Sequence, residues 1–379
     1  MEPRTGHVPS HNHVANPSSI HHQLINMTQP QLDQGAQLAQ IAHQLTLLAR
    51  EKTGDSDAAV SEPQALPGHA GLSYSFELTA RTGATLQTQQ MPRTERLVIR
   101  LAPEGVPIAG PTDVVRQARI MASLAGTAVP VPAVKWYDSD PRWFGRPFFV
   151  VGFLAGDKLA LGERTYAAAE THSMVTRAVE ALAVLHAVPW EPRREAWGEP
   201  LSLADEMKRL DNLLDRPTLD AKVVGRGPLL RDRLRQSLPP PQRVHVGCVH
   251  GDFQWSNCLF DGGRLAAVID WELSQIGATL IDLGWLCLFS DHQSWENYDL
   301  VPPHVLPPDE IARLYASRAS SAIDLGQVRW FRAFAGYRFG VITAFNLMLH
   351  RRGKRPDPTW EDIALSGPRL FERGLELLG

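Results

Sequence analysis

Residues 249–272 read VHGDFQWSNCLFDGGRLAAVIDWE and carry three short oxygen-bearing side chains, Asp252, Asn257 and Asp270. Turn formation would account for any one of them alone, because Asp, Asn and Gly favour turns. Their joint order, Asp, Asn five positions later, then an apolar hairpin ending in Asp, matches what phosphoryl transfer from ATP requires. An acceptor hydroxyl has to be oriented and relieved of its proton, Mg2+ has to be held by hard oxygen ligands, and phosphates have to be neutralised. Asp252 is the candidate base, and Asn257 and Asp270 are the candidate metal ligands. The segments CLF and LAAVID predict two strands joined by the DGG turn at 261–263, which would set the spacing of the three. His250 is the candidate for holding the loop from behind. His245, Cys248 and His250 lack the fourth ligand that a structural zinc site needs.

These residues need a scaffold. A chain of 379 residues predicts two lobes or domains. A hydrophobic content of 44% and a charged content of 21% describe an ordinary globular protein, and a net charge of −3 carries no polyanion-binding signature. Neither nucleic acid nor a membrane is an expected partner; a small hydroxylated molecule is. The three cysteines, Cys248, Cys258 and Cys287, sit in apolar stretches without paired spacing, which predicts a reducing, cytoplasmic location. The apolar run ATLIDLGWLCLF is too short to cross a membrane and carries Asp282. The N-terminus lacks a basic region followed by an apolar one, so no secretory signal is expected. The sequence leaves the oligomeric state open.

Residues 1–28 are rich in His, Asn, Pro and Ser and predict a disordered tail. Residues 31–52 carry a helical apolar stripe, with Leu38, Ile41, Leu45 and Leu48. The segments GLSYSFELTA, RLVIRLAP, VPVPAVKWYD and RPFFVVGFLAG predict strands, and PTDVVRQARIMASLAG predicts a helix capped at Thr112 or Asp113. Helices are expected at 171–188, about 203–215, 309–320, 327–350 and 366–378. The layout is α+β: a small-sheet lobe over 29–152 with a leading helix, then a helical lobe over 153–379, with the hinge near Val151–Leu154.

HGDFQWSN and VIDWE resemble the signature of aminoglycoside-phosphotransferase-like kinases, above all the branch that includes the kinase-like domain attached to some acyl-CoA dehydrogenases. RLVIRLAP, VPVPAVKWYDSD, GRPFFVVGFLAG, ALAVLHAVPW and IGATLIDLGWL resemble that branch in the same order, so the resemblance covers roughly residues 68–345. It implies a bilobal protein-kinase-like fold and ATP- and Mg2+-dependent transfer to a small-molecule hydroxyl. It also implies roles for further residues. Arg100 stands where most kinases have a phosphate-pairing Lys, and a guanidinium is not a simple substitute. Gln117 stands where the following helix usually offers a Glu to orient that cation, which leaves Glu104 or Asp113 as the alternative acids. Gly71 and Ser73 belong to the phosphate loop, and Val151, Gly152 and Phe153 to the adenine-facing hinge. Glu272 is expected to assist the metal site, and Asp282 to orient neighbouring backbone.

Polycationic aminoglycosides need a pocket lined by carboxylates. The region expected to bind the acceptor instead carries Arg329, Arg332, Arg338 and the run HRRGKR at 350–355. A neutral or anionic acceptor is therefore expected, such as a hydroxyacyl thioester or a natural-product alcohol. Two alternatives stay open: an aminoglycoside or other antibiotic kinase, and a catalytically silent nucleotide-binding module, suggested by Gln117.

Overall fold

The computed structural model describes residues 29–66, 73–81, 91–105, 107–160, 164–296 and 298–379. The expected tail at 1–28 and Gly71 lie outside them. Helix α1 (Gln29–Thr53) leads into strands β1 (Ala59–Val60), β2 (Gln64–Ala65), β3 (Ser73–Ala80) and β4 (Arg93–Leu101). Helix α2 (Val114–Ser123) follows, then β5 (Val134–Asp138) and β6 (Phe148–Gly152). The six strands form one antiparallel sheet in the order β1-β3-β4-β6-β5, with β2 also paired to β3. Strand alternation gives the sheet two apolar faces. Tyr74, Phe76, Leu78, Leu97, Ile99, Phe148 and Val150 pack with Ile41, Leu45 and Leu48 of α1 into a core of their own. Phe149 and Val151 face the other way and join α2 in the main core. Asp113, not Thr112, caps α2 by accepting the Arg116 N–H at 2.9 Å.

The rest is mainly helical: α3 (Ala168–Ala187), α4 (Arg194–Trp197), α5 (Leu203–Leu214), α6 (Ala221–Val224), α7 (Gly227–Gln236), α8 (Leu280–Leu288), α9 (Pro308–Arg318), α10 (Leu325–Arg351), α11 (Thr359–Ile363) and α12 (Gly367–Leu378). Two small antiparallel sheets are set among them. One has the order β10 (Arg264–Val268), β9 (Cys258–Asp261), β7 (Asp157–Lys158), and the other pairs β8 (Val246–Val249) with β11 (Gln275–Ala278). The β9–β10 hairpin turns at Gly262 and Gly263, both at positive φ, as a two-residue hairpin turn demands. Among the described residues no helix is long and apolar enough to cross a membrane.

Helix α8 positions the site, and nothing in the sequence pattern announces it. Every one of its residues is buried, so it has no polar face and no amphipathic period. It crosses α10 at backbone contact: a Cβ on Gly284 would lie 2.3 Å from the Phe331 carbonyl oxygen, so only glycine fits there.

Candidate active site

The loop 250–252 is fastened at nearly every backbone group. Asp282, fully buried on α8, accepts the N–H of Gly251 on Oδ1 and that of His250 on Oδ2, both at 2.7 Å. The Ser274 hydroxyl donates to the His250 carbonyl at 3.1 Å, and Arg338 Nη1 of α10 donates to the Gly251 carbonyl at 2.8 Å. Gly251 sits at φ 84° with its Cα against the next segment, and a Cβ there would be 2.2 Å from the Leu273 carbonyl oxygen. His250 ties the two halves of the site together. Its Nε2–H donates to the Ile269 carbonyl at 3.0 Å, while Nδ1 accepts the Asp252 N–H at 3.2 Å. Those roles require a neutral ring, and burial depresses its pKa in the same sense.

The chemistry-bearing side chains converge in front of this loop. Asn257 donates its amide N–H groups to the Asp252 carbonyl at 2.9 Å and to Asp252 Oδ2 at 2.8 Å. With both donors committed, the amide oxygen is the atom a cation could take. Asp252 Oδ1 accepts the Trp285 indole N–H at 2.7 Å. Asp270 follows β10 in the left-handed region at φ 65°, a conformation that costs a non-glycine residue about 1–3 kcal/mol and concentrates at functional sites. Its Oδ1 accepts from Arg100 Nη1 at 3.1 Å, and Glu272 Oε2 accepts from Arg100 Nη2 at 2.6 Å. Burial and the charge of Asp270 push the carboxyl of Asp252 up to about 6 and that of Glu272 up to about 7. Among the described residues no three His, Cys, Asp or Glu side chains gather into a cage for a metal, so a cation here would have Asp270 and the amide oxygen of Asn257 and depend otherwise on its nucleotide. Mg2+ takes only one or two protein carboxylates in such sites.

Several expectations need correcting. Arg100 is held by Asp270 and Glu272, not by Glu104 or Asp113. Glu104 pairs with Arg146 at 3.0 Å, and Asp113 caps α2. Gln117 is buried and donates to the Pro111 carbonyl at 2.9 Å. The acid that orients the cation comes from the segment after β10, with Arg116 of α2 fastening that segment through the Ser274 carbonyl at 2.5 Å. Ser73 is the register partner of Arg100 across β3 and β4. At the hinge, Val151 lies inside the sheet ladder, the Gly152 N–H donates to the Ala133 carbonyl, and the Phe153 N–H donates to the Arg96 carbonyl, each at 2.9 Å. Those two N–H groups are therefore committed within the sheet and its edge. The cationic cluster also divides. Arg332 pairs with Asp291 and Asp309, and Arg351 with Asp220 and Glu361. Arg351 lies thirteen residues beyond Arg338 on α10, about 20 Å along the axis. Only Arg338 reaches the loop. The indole of Trp285, the grip of Arg338 on the Gly251 carbonyl and the His186–Asp282 contact at 3.2 Å are site features that the sequence motifs do not reveal. The spacing of Trp285 three residues after Asp282 is the signal that could have found the first.

A family model for the phosphotransferase enzyme family matches residues 84–302, more than half of the chain. The chain belongs to this family. Among relatives of this phosphotransferase, the probable acyl-CoA dehydrogenase IBR3 of Arabidopsis thaliana is 26% identical over 298 residues, covering 73% of this chain and 35% of that protein. The chain spans roughly a quarter to a third of the length of the curated relatives it matches. A crystal structure of a "putative aminoglycoside phosphotransferase" from Ralstonia eutropha superposes with a TM-score of 0.69 at 20% identity, covering 89% of this chain and 97% of that one. A thermostable mutant of aminoglycoside phosphotransferase APH(4)-Ia, in ternary complex with AMP-PNP and hygromycin B, gives a TM-score of 0.54 at 17% identity, covering 88% and 98%. At these identities the solved structures establish the fold, which is the protein-kinase-like one. The family is that of the phosphotransferase enzymes.

Proposed function

We propose that this phosphotransferase moves the terminal phosphoryl group of ATP to a hydroxyl of a small neutral or anionic molecule, such as a hydroxyacyl thioester or a natural-product alcohol. The observation that carries the reading is the Asp252 carboxylate, fixed by Asn257 and Trp285 and set beside Asp270, Glu272 and Arg100. The acceptor oxygen forms a bond to the terminal phosphorus, the bond from that phosphorus to the ADP oxygen breaks, and Asp252 takes the hydroxyl proton. Asp270 and the amide oxygen of Asn257 would hold Mg2+, which supplies charge neutralisation for the phosphates when bound. Arg100 would pair with phosphate oxygens through the N–H groups of its guanidinium not given to Asp270 or Glu272. The nucleotide analogue bound by the APH(4)-Ia mutant supports ATP as donor.

The acceptor class rests on charge and on kinship. Arg338 is the cation next to the catalytic loop, and its charge offsets that of Glu206, 3.8 Å away, which leaves less negative charge there for a polycation. The acyl-CoA dehydrogenase names of the curated relatives support an acyl thioester. The motive for a silent module was Gln117, and with Arg100 already between two carboxylates an acid on α2 is not required. The buried, unpaired cysteines Cys248, Cys258 and Cys287 support a reducing compartment such as the cytoplasm. The test is ADP release over a panel of hydroxyacyl-CoA thioesters, hydroxy acids, choline and kanamycin, with and without Mg2+. Saturable Mg2+-dependent phosphorylation of a neutral or anionic alcohol is expected. Efficient turnover of kanamycin at micromolar concentration would refute the acceptor class, and no turnover of any acceptor would refute the kinase reading.

A further inference from the structure

Helix α8 turns two side chains, one helical turn apart, toward the catalytic loop. Asp282 takes the backbone N–H groups of His250 and Gly251. Trp285 reaches the side chain that follows them, donating its indole N–H to Oδ1 of Asp252 at 2.7 Å. Other buried tryptophans spend that N–H differently. Trp271, Trp295 and Trp330 donate to the carbonyls of Val268, Leu288 and Leu234, Trp255 to the Phe289 carbonyl and the Ser290 hydroxyl, and Trp197 to the Ser123 hydroxyl, all neutral partners such as satisfy the one polar atom of a packing residue. Trp285 gives its N–H to the candidate base. Because Asn257 holds the second oxygen at 2.8 Å, the carboxylate has a donor on each side and its plane is fixed.

The indole is itself clamped. The guanidinium carbon of Arg338 lies 4.5 Å from the centroid of the ring, and Phe289 and Phe339 meet it edge-on at 5.6 Å each. Arg338 in turn donates to the Gly251 carbonyl, so the side chain that stacks on Trp285 also grips the loop that Trp285 serves.

We propose that Trp285 is a positioning residue for phosphoryl transfer: its indole N–H holds the Asp252 carboxylate in the orientation that receives the acceptor proton. The inference rests on the kinase reading of the site. Its test is Trp285→Phe, which keeps an aromatic ring and removes the N–H, studied with MgATP and the best acceptor from the panel. A charged hydrogen bond of this kind is worth about 10–100-fold in rate, so kcat should fall by that factor. KM for MgATP should stay within about twofold, because the lost contact touches no nucleotide-facing group. Trp330→Phe is the packing control, since it likewise trades a buried indole for a phenyl ring but removes an N–H that serves the Leu234 carbonyl and not the loop. It should lose thermal stability with little loss of kcat. A direct readout is the indole N–H resonance of Trp285 in a 15N-tryptophan-labelled sample, assigned by its disappearance in Trp285→Phe. It should lie downfield in the parent and move upfield in Asp252→Ala. An active parent with an equally active Trp285→Phe overturns this inference alone. So does a Trp330→Phe that loses as much kcat as Trp285→Phe, or an indole resonance indifferent to Asp252. A parent that phosphorylates nothing overturns the kinase reading and this inference together.

Discussion

Asp282→Asn should damage stability and activity together, and the size of the damage follows from its bonds. The carboxylate is fully buried and accepts two backbone N–H groups at 2.7 Å, one on each oxygen, while His186 Nε2 faces Oδ2 at 3.2 Å. An asparagine keeps one acceptor oxygen and puts an NH2 group where the other stood. Whichever way the amide turns, one buried N–H of the catalytic loop faces a donor. A buried donor without a partner costs about 1–3 kcal/mol, and the loss of charge from the surviving bond adds about 1.5–3, so roughly 3–5 kcal/mol is expected in total. At about 2 °C per kcal/mol for a chain of this size, Tm should drop by about 6–10 °C. The loop that carries Asp252 would lose its fastening in the fraction that stays folded, so kcat should fall more than the affinity for MgADP. Thermal melts by circular dichroism, calorimetric titration of MgADP and the ADP-release assay read the three quantities. A variant melting within about 2 °C of the parent and turning over within twofold of it would show that the loop is held by something other than Asp282.

Asp252→Asn should keep the melting temperature within a few degrees and keep MgADP affinity, yet lose about 10²–10⁴-fold in transfer, because an amide accepts no proton. Parent-like turnover would rule out Asp252 as the base. Asp270→Ala should abolish Mg2+-dependent ATP binding in a calorimetric titration while Asn257→Ala only weakens it, since the carboxylate brings a charge and the amide a dipole; equal affinity for Asp270→Ala and parent would remove the metal role. His250 is buried neutral with its pKa depressed chiefly by burial, so the unfolded chain takes up this proton first as pH falls. Its contribution is complete above the unfolded value of about 6.5 and declines below it, so the drop in Tm between pH 7 and pH 5 should be shallower in His250→Gln than in the parent. Parallel curves for the two proteins would contradict a neutral His250.

The sequence made the centre of the site readable because that centre is local. Asp252, Asn257 and Asp270 sit on one loop and one hairpin, and the Gly262–Gly263 turn fixes the return of the chain. The sheet strands were readable for a related reason: β3 and β4 alternate, and α1 carries a stripe that fits one sheet face. What was hidden is non-local or lacks a period. The partners of Arg100 lie 170 and 172 positions away, and no spacing rule connects them. Searching the neighbourhood of α2 for its acid led to Glu104 and Asp113, whereas the fold delivers Asp270 and Glu272 from the other lobe. Helix α8 is apolar all round, so the periodicity that reveals α2 and α5 is silent there, and no pattern sets Trp285 apart from the other aromatics. The run at 350–355 looked like one cationic surface near an acceptor. In the fold its first arginine is spent on Asp220 and Glu361.

The contact at Gly284 bears on how such proteins diversify. A helix seated backbone to backbone has no slack, because sliding or rolling α8 against α10 would drive main-chain atoms into one another. The helix that fastens the catalytic loop is thereby locked to the helix that carries Arg338. Mutations that reshape the acceptor surface can accumulate on side chains standing clear of this seam without moving the loop by an ångström. Any side chain at 284 would move both at once. Lineages of this fold can thus exchange acceptors by substitution at the surface while inheriting one unaltered frame of reference for the chemistry, and position 284 should be among the last to accept change.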